Sequence, residues 1–207
     1  MGATFSYGDA VGAGARWEWE LWARVSSVVL AGVGLVVLSP VLALIAVAIR
    51  WESDGGVIYR QARVGRDGRL FVMLKFRSMR AGAEQETGPV WAAEDDERVT
   101  RVGWWLRRLH LDELPQLWNV LLGDMNLIGP RPERPEFVEE FRRRIPGYAL
   151  RHQVRPGMTG WAQVKIGYGV GVAGAQAKLK YDLEYLRRRS LRLDLRILAE
   201  TMRVVAR

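Results

Sequence analysis

The sequence predicts a helix-rich α+β protein whose N-terminal region carries a membrane-embedded helix. Residues 25–49 contain no charged residue, residues 57–76 alternate strand formers around an Asp-Gly turn, and most of the remaining chain has apolar residues at helical spacing. With 207 residues and 49% hydrophobic content, the chain has enough apolar material for one core and a membrane element. We expect a loosely ordered tail at residues 1–20, a membrane segment at 21–50 and one further domain at 51–207.

The charge balance indicates an anionic partner. There are 31 Lys and Arg residues against 23 Asp and Glu residues, which gives a formal net charge of +8. Such an excess favours phosphorylated substrates, anionic lipid headgroups or nucleic acid. The absence of cysteine excludes disulfides and thiolate metal sites, and the presence of only two histidines argues against a histidine-based zinc site.

The membrane segment has a helix breaker in its middle. Residues 25–49 are long enough for a membrane-embedded helix, yet Pro40 removes one intrahelical hydrogen bond and should bend it. The hydroxyl of Ser39 can bond to a carbonyl freed in this way. Two topologies remain open on these residues: a spanning helix with a tolerated proline, and a re-entrant hairpin with both ends on one face. Arginine and tryptophan on both flanks modestly favour re-entry.

The rest of the chain contains one confident strand pair and several amphipathic helices. A β-hairpin is predicted over residues 57–64 and 70–76. Residues 81–96 are small, acidic and interrupted by Gly-Pro, which indicates a loop. A basic, tryptophan-bearing helix begins near residue 97; it suits a bilayer surface, although an amphipathic core helix has the same pattern. The block "VRPGMTGWAQV" is expected to be a turn-rich loop that enters an extended piece.

Two adjacent carboxylates, Asp112 and Glu113, stand just before an apolar helical pattern. In the plain interpretation Asp112 caps the helix that follows and Glu113 lies in its first turn, where acids interact favourably with the helix dipole. The alternative is a chemical role. A carboxylate such as Asp112 can ligate a metal ion, or it can attack phosphorus and form an acyl phosphate.

Basic residues surround the two acids in sequence and favour the chemical interpretation. They are Lys75, Arg77, Arg107 and Arg131, and the last is held between two prolines. Arginine forks match phosphate oxygens, and acids among bases suggest a phosphate-bearing substrate with Mg²⁺ held by the acid pair. Taken singly, each of these bases could equally be a solvated surface charge.

Three blocks of the sequence, in this order, resemble the bacterial sugar transferases, the monotopic phosphoglycosyl transferases. They are "GGVIYRQARVGRDGRLFVMLKFRSM", "WLRRLHLDELPQLWNVLLGDMNLIGPRPERPEF" and "VRPGMTGWAQV", and the resemblance covers about residues 20–205. It implies an enzyme that moves a sugar 1-phosphate from a nucleoside diphosphate sugar, usually a UDP-sugar, to undecaprenyl phosphate and releases UMP. That reaction is the first membrane step of exopolysaccharide, capsule, O-antigen or glycoprotein glycan synthesis.

The resemblance also implies roles for individual positions. The membrane segment becomes a re-entrant helix kinked at Ser39-Pro40. Asp112 becomes the nucleophile of a ping-pong reaction with magnesium at the site, and Glu113 supports the metal and the second half-reaction. The residues at positions that match phosphate or nucleotide contacts are Lys75, Arg107 and Arg131.

Location and partners follow from the same resemblance. We expect a catalytic domain on the cytoplasmic face of the bacterial inner membrane, with interfacial amphipathic helices, and UDP-sugar, undecaprenyl phosphate and membrane lipids as partners. No nucleic acid partner is expected, and a homodimer is left open. Many relatives carry an additional bundle of spanning helices that this sequence lacks, so it is expected to be the minimal catalytic form. Lys165-Ile166 replaces a common Asn-Tyr-like pair, so the sugar is not assigned.

Two rival functions stay open on the residues. A membrane-anchored protein that binds anionic lipid or nucleic acid without catalysis would account for the +8 charge and the Trp/Arg interleaving, but it has no use for the acid pair. A phosphohydrolase would use the acids but pass the phosphoryl group to water.

Overall fold

The computed structural model describes residues 13–83, 88, 96–167 and 169–205. Within these residues the chain is a helix-rich α+β protein, as predicted from the sequence. The helices are α1 (Ala13–Glu52), α2 (Arg101–Arg108), α3 (Gln116–Leu122), α4 (Pro135–Arg144), α5 (Trp161–Ile166), α6 (Gly171–Arg188) and α7 (Leu191–Val205). The strands are β1 (Ile58–Val64), β2 (Leu70–Phe76), β3 (Asn126–Ile128) and β4 (Gly157–Thr159).

The membrane segment forms a single helix, α1, with Pro40 inside it. The Ser39 hydroxyl donates a hydrogen bond of 2.8 Å to the carbonyl of Val36, which is the group that Pro40 leaves without its N–H partner. The prediction for Ser39 is therefore confirmed. Among the described residues one helical stretch, Glu18–Glu52, is long and apolar enough to cross a membrane.

The helix begins at Ala13, so residues 13–20 belong to α1 and were wrongly assigned to a tail. Residues 19 and 20 are held by contacts with the rest of the chain. Arg66, at the tip of the β1–β2 hairpin, donates to Glu20 at 2.9 Å, and the ring of Trp19 stands edge-on to Tyr185 at 6.2 Å. Residues 1–12 of the expected tail lie outside the described residues.

Both ends of α1 are attached to the same domain. Near its start, Arg24 donates to the carbonyls of Val120 (2.6 Å) and Leu121 (3.1 Å) in the last turn of α3. At its end, the carboxylate of Glu52 accepts from the N–H groups of Arg101 (2.8 Å) and Val102 (2.9 Å), the first turn of α2. Each end of α1 therefore satisfies backbone groups that a helix terminus leaves without partners.

The two faces of α1 differ in exposure. One face is buried against the domain through Ser27, Ala31, Ile45 and Ile49. The other face is apolar and exposed, and it consists of Leu21, Trp22, Val25, Val29, Leu30, Val33, Val36, Val37, Val41, Leu44, Val47 and Trp51. A continuous exposed apolar surface of this kind is typical of a helix in contact with lipid.

The predicted hairpin is confirmed, with β1 and β2 antiparallel and Val64 opposite Leu70. The left-handed conformation that the turn needs is supplied by Asp67 (φ 56°) and Gly68 (φ 78°). The edge of β2 is closed by a side chain: the amide of Asn119 on α3 accepts from the N–H of Leu74 (2.9 Å) and donates to the carbonyl of Val72 (2.7 Å). Asn119 thus takes the place of a neighbouring strand and fixes α3 against β2.

A second sheet, the parallel pair β3 and β4, was not predicted. The block "VRPGMTGWAQV" contains the short extended strand β4, and the helix α5 follows it, where no helix was predicted. Two glycines explain how the strands come together. A Cβ on Gly157 would lie 2.1 Å from the nitrogen of Gly129, so only glycine permits this approach of the two backbones. Three-residue strands carry too little periodicity to be seen in the sequence.

A buried histidine makes folding stability depend on pH. Within the described residues His152 has no hydrogen-bond partner on either ring nitrogen, and burial, with Arg151 and Arg142 nearby, lowers its pKa from 6.5 to about 3. The folded chain therefore binds fewer protons than the unfolded chain, and the stability present above pH 6.5 is lost as the pH falls towards 3.

We expect the wild type to lose about 2 kcal/mol more stability than His152→Phe between about pH 8 and about pH 5. Phenylalanine retains the ring contact with Tyr148, at 5.8 Å. The comparison must be made against the variant because burial raises the pKa of Asp194 to about 6, which adds stability as the pH falls below that value. Urea unfolding at each pH measures the difference, and parallel pH profiles for the two proteins would contradict it.

Candidate active site

The two adjacent acids lie in a 3-10 turn, Leu111–Glu113, between α2 and α3. Helix α3 begins only at Gln116, its N-cap position is occupied by Pro115, and no side chain caps it. The interpretation of Asp112 as the N-cap of this helix is therefore wrong. Pro115 lacks an N–H and has φ −61°, which suits the residue just ahead of a helix, and it moves the start past both acids.

Glu113 is held by two cations. The Lys75 ammonium lies 2.8 Å from Oε1, and Arg131 donates to Oε2 at 3.0 Å and also to Oε1. Burial raises the pKa of the Glu113 carboxyl, but Arg131 and Lys75 outweigh burial and hold that pKa well below its usual range. Glu113 is consequently ionised, and its two oxygens fix the fork of Arg131 and the amine of Lys75 in place.

Asp112 is in a different electrostatic position. Of the cations in the described part of the chain, only Lys75 comes within ion-pair distance of its carboxylate, at 4.0 Å. Burial raises the pKa of Asp112, and the charge of Lys75 opposes the rise only in part. The neighbouring acids thus have pKa values shifted in opposite directions, which is the arrangement expected where one carboxylate reacts and the other orients.

The remaining predicted residues are not all directed at the acids. Arg107 borders the same cleft as Asp112 and donates from Nε to the hydroxyl of Ser78 at 2.9 Å. Arg77 also borders the cleft, but its guanidinium donates to the carbonyls of Ser53 and Asp54 just after α1. Arg77 therefore anchors the end of the membrane helix in this structure. Ser39 and Pro40 lie within α1 and are not among the residues that border the cleft.

The acids open into a large cleft with a volume of about 1900 Å³. Its walls carry polar side chains from β1 and aromatic side chains from α2; they include Tyr59, Gln61, Arg63, Trp104 and Trp105. Pockets for single small ligands usually occupy about 300–1,000 Å³. The cleft is therefore large enough for two substrates side by side.

The segment that carries Arg131 is fixed through its backbone by the second sheet. The N–H of Gly129 donates to the carbonyl of Thr159 at 2.9 Å, and the N–H of Gly157 donates to the carbonyl of Pro130 at 3.0 Å. The motif blocks around Arg131 and around Gly157 thus form one structural unit. The sequence shows both blocks, but nothing in it pairs them.

Two arginines that sequence reasoning missed, Arg151 (buried) and Arg63 (half-buried), also hold this segment. Arg151 donates to the carbonyl of Arg131 at 2.8 Å, and Arg63 donates to the carbonyl of Pro132 at 3.0 Å. Arg151 is itself fixed by Asp182, with Nε 2.8 Å from Oδ2, and both side chains are fully buried. An isolated arginine gives no sequence signal for a bond to a distant carbonyl, so these residues could not be found in advance.

The carboxylates available at the site suit a metal ion that takes few protein ligands. The described residues contain no group of three or more His, Asp or Glu residues that could hold a metal ion. Both oxygens of Glu113 are used by Arg131 and Lys75, which leaves the Asp112 carboxylate. Magnesium commonly binds through one or two carboxylates together with substrate phosphates and water, so Asp112 fits this role. Joint ligation by Glu113, as predicted from the sequence, requires that it give up one of its cations.

The chain is similar in sequence to several known proteins. The chain is 46% identical over 182 residues to the UDP-N-acetylgalactosamine-undecaprenyl-phosphate N-acetylgalactosaminephosphotransferase of Aeromonas hydrophila, which covers 88% of this chain and 43% of that protein. It is 44% identical over 185 residues to the UDP-glucose:undecaprenyl-phosphate glucose-1-phosphate transferase of Escherichia coli (strain K12), covering 88% and 40%. A protein of the same name from Caulobacter vibrioides is 43% identical over 192 residues, covering 88% and 69%.

The chain spans about two fifths of the length of the first two of these relatives. A model of one protein family, described as bacterial sugar transferase, matches residues 19–207, which includes α1, the acid pair and the unit that holds Arg131. The chain therefore belongs to the bacterial sugar transferase family.

Proposed function

We propose that this protein transfers a sugar 1-phosphate from a UDP-sugar to undecaprenyl phosphate and releases UMP. The observation that carries the proposal is the acid pair, with Glu113 held by Lys75 and Arg131 and Asp112 beside it, lining a cleft large enough for two substrates. The names of the relatives support the substrates, because each refers to undecaprenyl phosphate and to a phosphorylated sugar. Their donors differ, glucose in one and N-acetylgalactosamine in the other, so the proposal leaves the sugar open.

In the first half of the proposed reaction, an Asp112 oxygen attacks the phosphorus that bears the sugar. The bond from that phosphorus to the UMP oxygen breaks, and UMP leaves with the electron pair. A carboxylate whose pKa is raised by burial is more basic than a surface carboxylate, which favours its attack on phosphorus. In the second half, a phosphate oxygen of undecaprenyl phosphate attacks the same phosphorus and releases Asp112.

The surrounding charges neutralise the phosphates. Glu113 holds Lys75 and Arg131 in fixed positions, so that their donors are aligned before a substrate arrives. Magnesium, when bound by Asp112, supplies further neutralisation of phosphate charge. A protein that only binds lipid or nucleic acid has no need for this arrangement of buried acids.

The proposal places the protein in the bacterial inner membrane, with its domain on the cytoplasmic face and α1 re-entrant. The contacts at both ends of α1 support this topology, because Arg24 and Glu52 bond to the same domain. A helix crossing the bilayer would separate these two ends by the membrane thickness of about 30 Å. The proposed reaction is then the first membrane step of exopolysaccharide, capsule, O-antigen or glycoprotein glycan synthesis.

A thiol-labelling experiment tests the topology. The chain contains no cysteine, so Glu18→Cys, Asp54→Cys and Lys180→Cys each introduce one thiol, at the start of α1, just after its end, and on the domain. We expect a membrane-impermeant maleimide to label all three in inside-out inner-membrane vesicles and none in right-side-out vesicles. Labelling of residues 18 and 54 from opposite sides would show a spanning helix. Detergent-solubilised protein serves as the control for reactivity.

The activity is tested with protein in nanodiscs, undecaprenyl phosphate, magnesium and a panel of UDP-sugars. UMP and a lipid-linked sugar phosphate should form together, with one or more donors. UMP formation with free sugar phosphate and no lipid product would instead identify a hydrolase. No UMP with any donor would contradict the proposal for the substrates in the panel.

Arg131→Lys tests the fork that Glu113 holds. Lysine keeps the charge but cannot donate to both oxygens of Glu113, as Arg131 does. We expect kcat/KM for the UDP-sugar to fall about tenfold to a hundredfold, the range for hydrogen bonds to charged groups. The Tm should change little, because Arg151 holds residue 131 through its backbone carbonyl, which the substitution leaves in place. Unchanged kinetics would remove Arg131 from the site.

A further inference from the structure

One cation in the wall of the cleft is used neither by the mechanism nor by the fold. Lys178, on α6, borders the cleft and is partly buried. Within the described part of the chain its ammonium makes no hydrogen bond or ion pair. Partial burial of the side chain lowers the pKa of Lys178. A charge in that position is costly unless a ligand of opposite charge meets it.

The acids that act electrostatically on Lys178 already have cations of their own. Glu133 and Asp182 both act on it electrostatically. Glu133, however, pairs with Arg63 at 3.6 Å, and Asp182 pairs with Arg151 at 2.8 Å. Lys178 is therefore surplus positive charge at this part of the wall, where an anion would be stabilised.

Lys178 is also tied to the position of Arg131. Asp182 lies one helical turn after Lys178 on the same side of α6, and it fixes Arg151, which holds the carbonyl of Arg131. The electrostatic influence of Arg131 reaches Lys178 as well. The two cations thus belong to one rigid unit, which suits adjacent phosphates of a single ligand.

We propose that Lys178 binds a phosphate oxygen of the nucleoside diphosphate sugar and so determines the affinity for the donor; this rests on the proposed function. The donor is favoured over the lipid because this part of α6 packs on α4. Ala175 and Leu179 contact Val138 and Phe141 there. The membrane helix α1, in contrast, packs against α2 and α3. Lys178 therefore lies on the part of α6 that packs on α4, before Tyr185, where α6 meets Trp19 of the membrane helix.

The chain offers a matched control on the same helix. Lys180 is exposed and, two residues further on, points to a different face of α6 from Lys178. We expect Lys178→Met to raise the Kd for UDP and the KM for the UDP-sugar about tenfold to a hundredfold. The KM for undecaprenyl phosphate should stay unchanged. Lys180→Met should behave as wild type, and Lys178→Arg should recover most of the affinity.

The measurements are calorimetric titration of the full chain in nanodiscs with UDP and magnesium, and initial rates with each substrate varied in turn. Equal Kd values for Lys178→Met and wild type would overturn the inference. A rise confined to the KM for undecaprenyl phosphate would assign Lys178 to the lipid phosphate and overturn the donor assignment. A loss of affinity that Lys178→Arg does not restore, with a lower Tm, would mean a structural role and would also overturn it.

Titration with UDP separates this inference from the proposed function. A wild type that binds UDP through Lys178 but forms no lipid-linked sugar would contradict the proposed transfer and leave the inference standing. Full transfer activity of the wild type, together with equal Kd values for UDP in Lys178→Met and wild type, would contradict the inference and leave the proposed function standing. A wild type that does not bind UDP would contradict both.

Discussion

Asp112→Asn is expected to abolish transfer, with kcat reduced by about a thousandfold or more, as for the loss of a nucleophile. Asparagine has nearly the same shape but presents no anionic oxygen to attack phosphorus. Asp112 is buried, and a neutral amide costs less to bury than a charged carboxylate, so the free energy of unfolding should stay the same or rise slightly. Release of UMP from the UDP-sugar, followed with and without undecaprenyl phosphate, measures the effect.

The control for this variant is Asp54→Asn, which changes the same functional group at an exposed carboxylate outside the cleft. It should leave turnover unchanged. Glu113→Gln should impair turnover for a different reason, because an amide no longer holds the charges of Lys75 and Arg131. Transfer by Asp112→Asn at a rate similar to wild type would show that the nucleophile has been assigned to the wrong residue.

Gly157→Ala should destabilise the protein by about 3 kcal/mol or more, the upper range for overpacking. The added Cβ would meet the nitrogen of Gly129 at 2.1 Å and the carbonyl oxygen of Thr159 at 2.5 Å. Backbone atoms cannot rotate away, so β3 and β4 must separate. Because the same sheet holds the backbone around Arg131, transfer should fall even at temperatures where the variant is folded.

Gly56→Ala is the matched control, since the nearest atom to its added Cβ, the carbonyl oxygen of Ile58, is at an ordinary 3.8 Å. Urea unfolding and initial rates should therefore be close to wild type for Gly56→Ala and strongly altered for Gly157→Ala. A Gly157→Ala protein with wild-type stability would show that the two strands are less tightly packed than the structure indicates.

The features that could be predicted from the sequence are those with a local cause. The β1–β2 hairpin follows from alternating residues and the Asp67-Gly68 turn, and the bond from Ser39 to Val36 follows from the geometry of a proline inside a helix. Local reasoning also erred where a single residue decides a boundary. Pro115 moves the start of α3 beyond Asp112, so Asp112 does not cap this helix.

The features that could not be predicted depend on contacts between distant residues. Gly157 meets Gly129, and Arg151 meets the carbonyl of Arg131, without any periodic signal in either segment. Arg77 illustrates the same limit: its charge suggested a phosphate contact, whereas its two terminal nitrogens donate to the carbonyls of Asp54 and Ser53 just after α1. The acid pair and the bases around it could be picked out in the sequence, but the scaffold that aligns them could not.

Mass spectrometry of the protein incubated with a UDP-sugar and magnesium, without lipid acceptor, tests the proposed mechanism most directly. The account predicts an adduct with the mass of one sugar phosphate on the peptide that contains Asp112, formed together with UMP and lost when undecaprenyl phosphate is added. If instead the protein stays unmodified and UMP appears only when both substrates are present, transfer is direct and Asp112 is not the nucleophile.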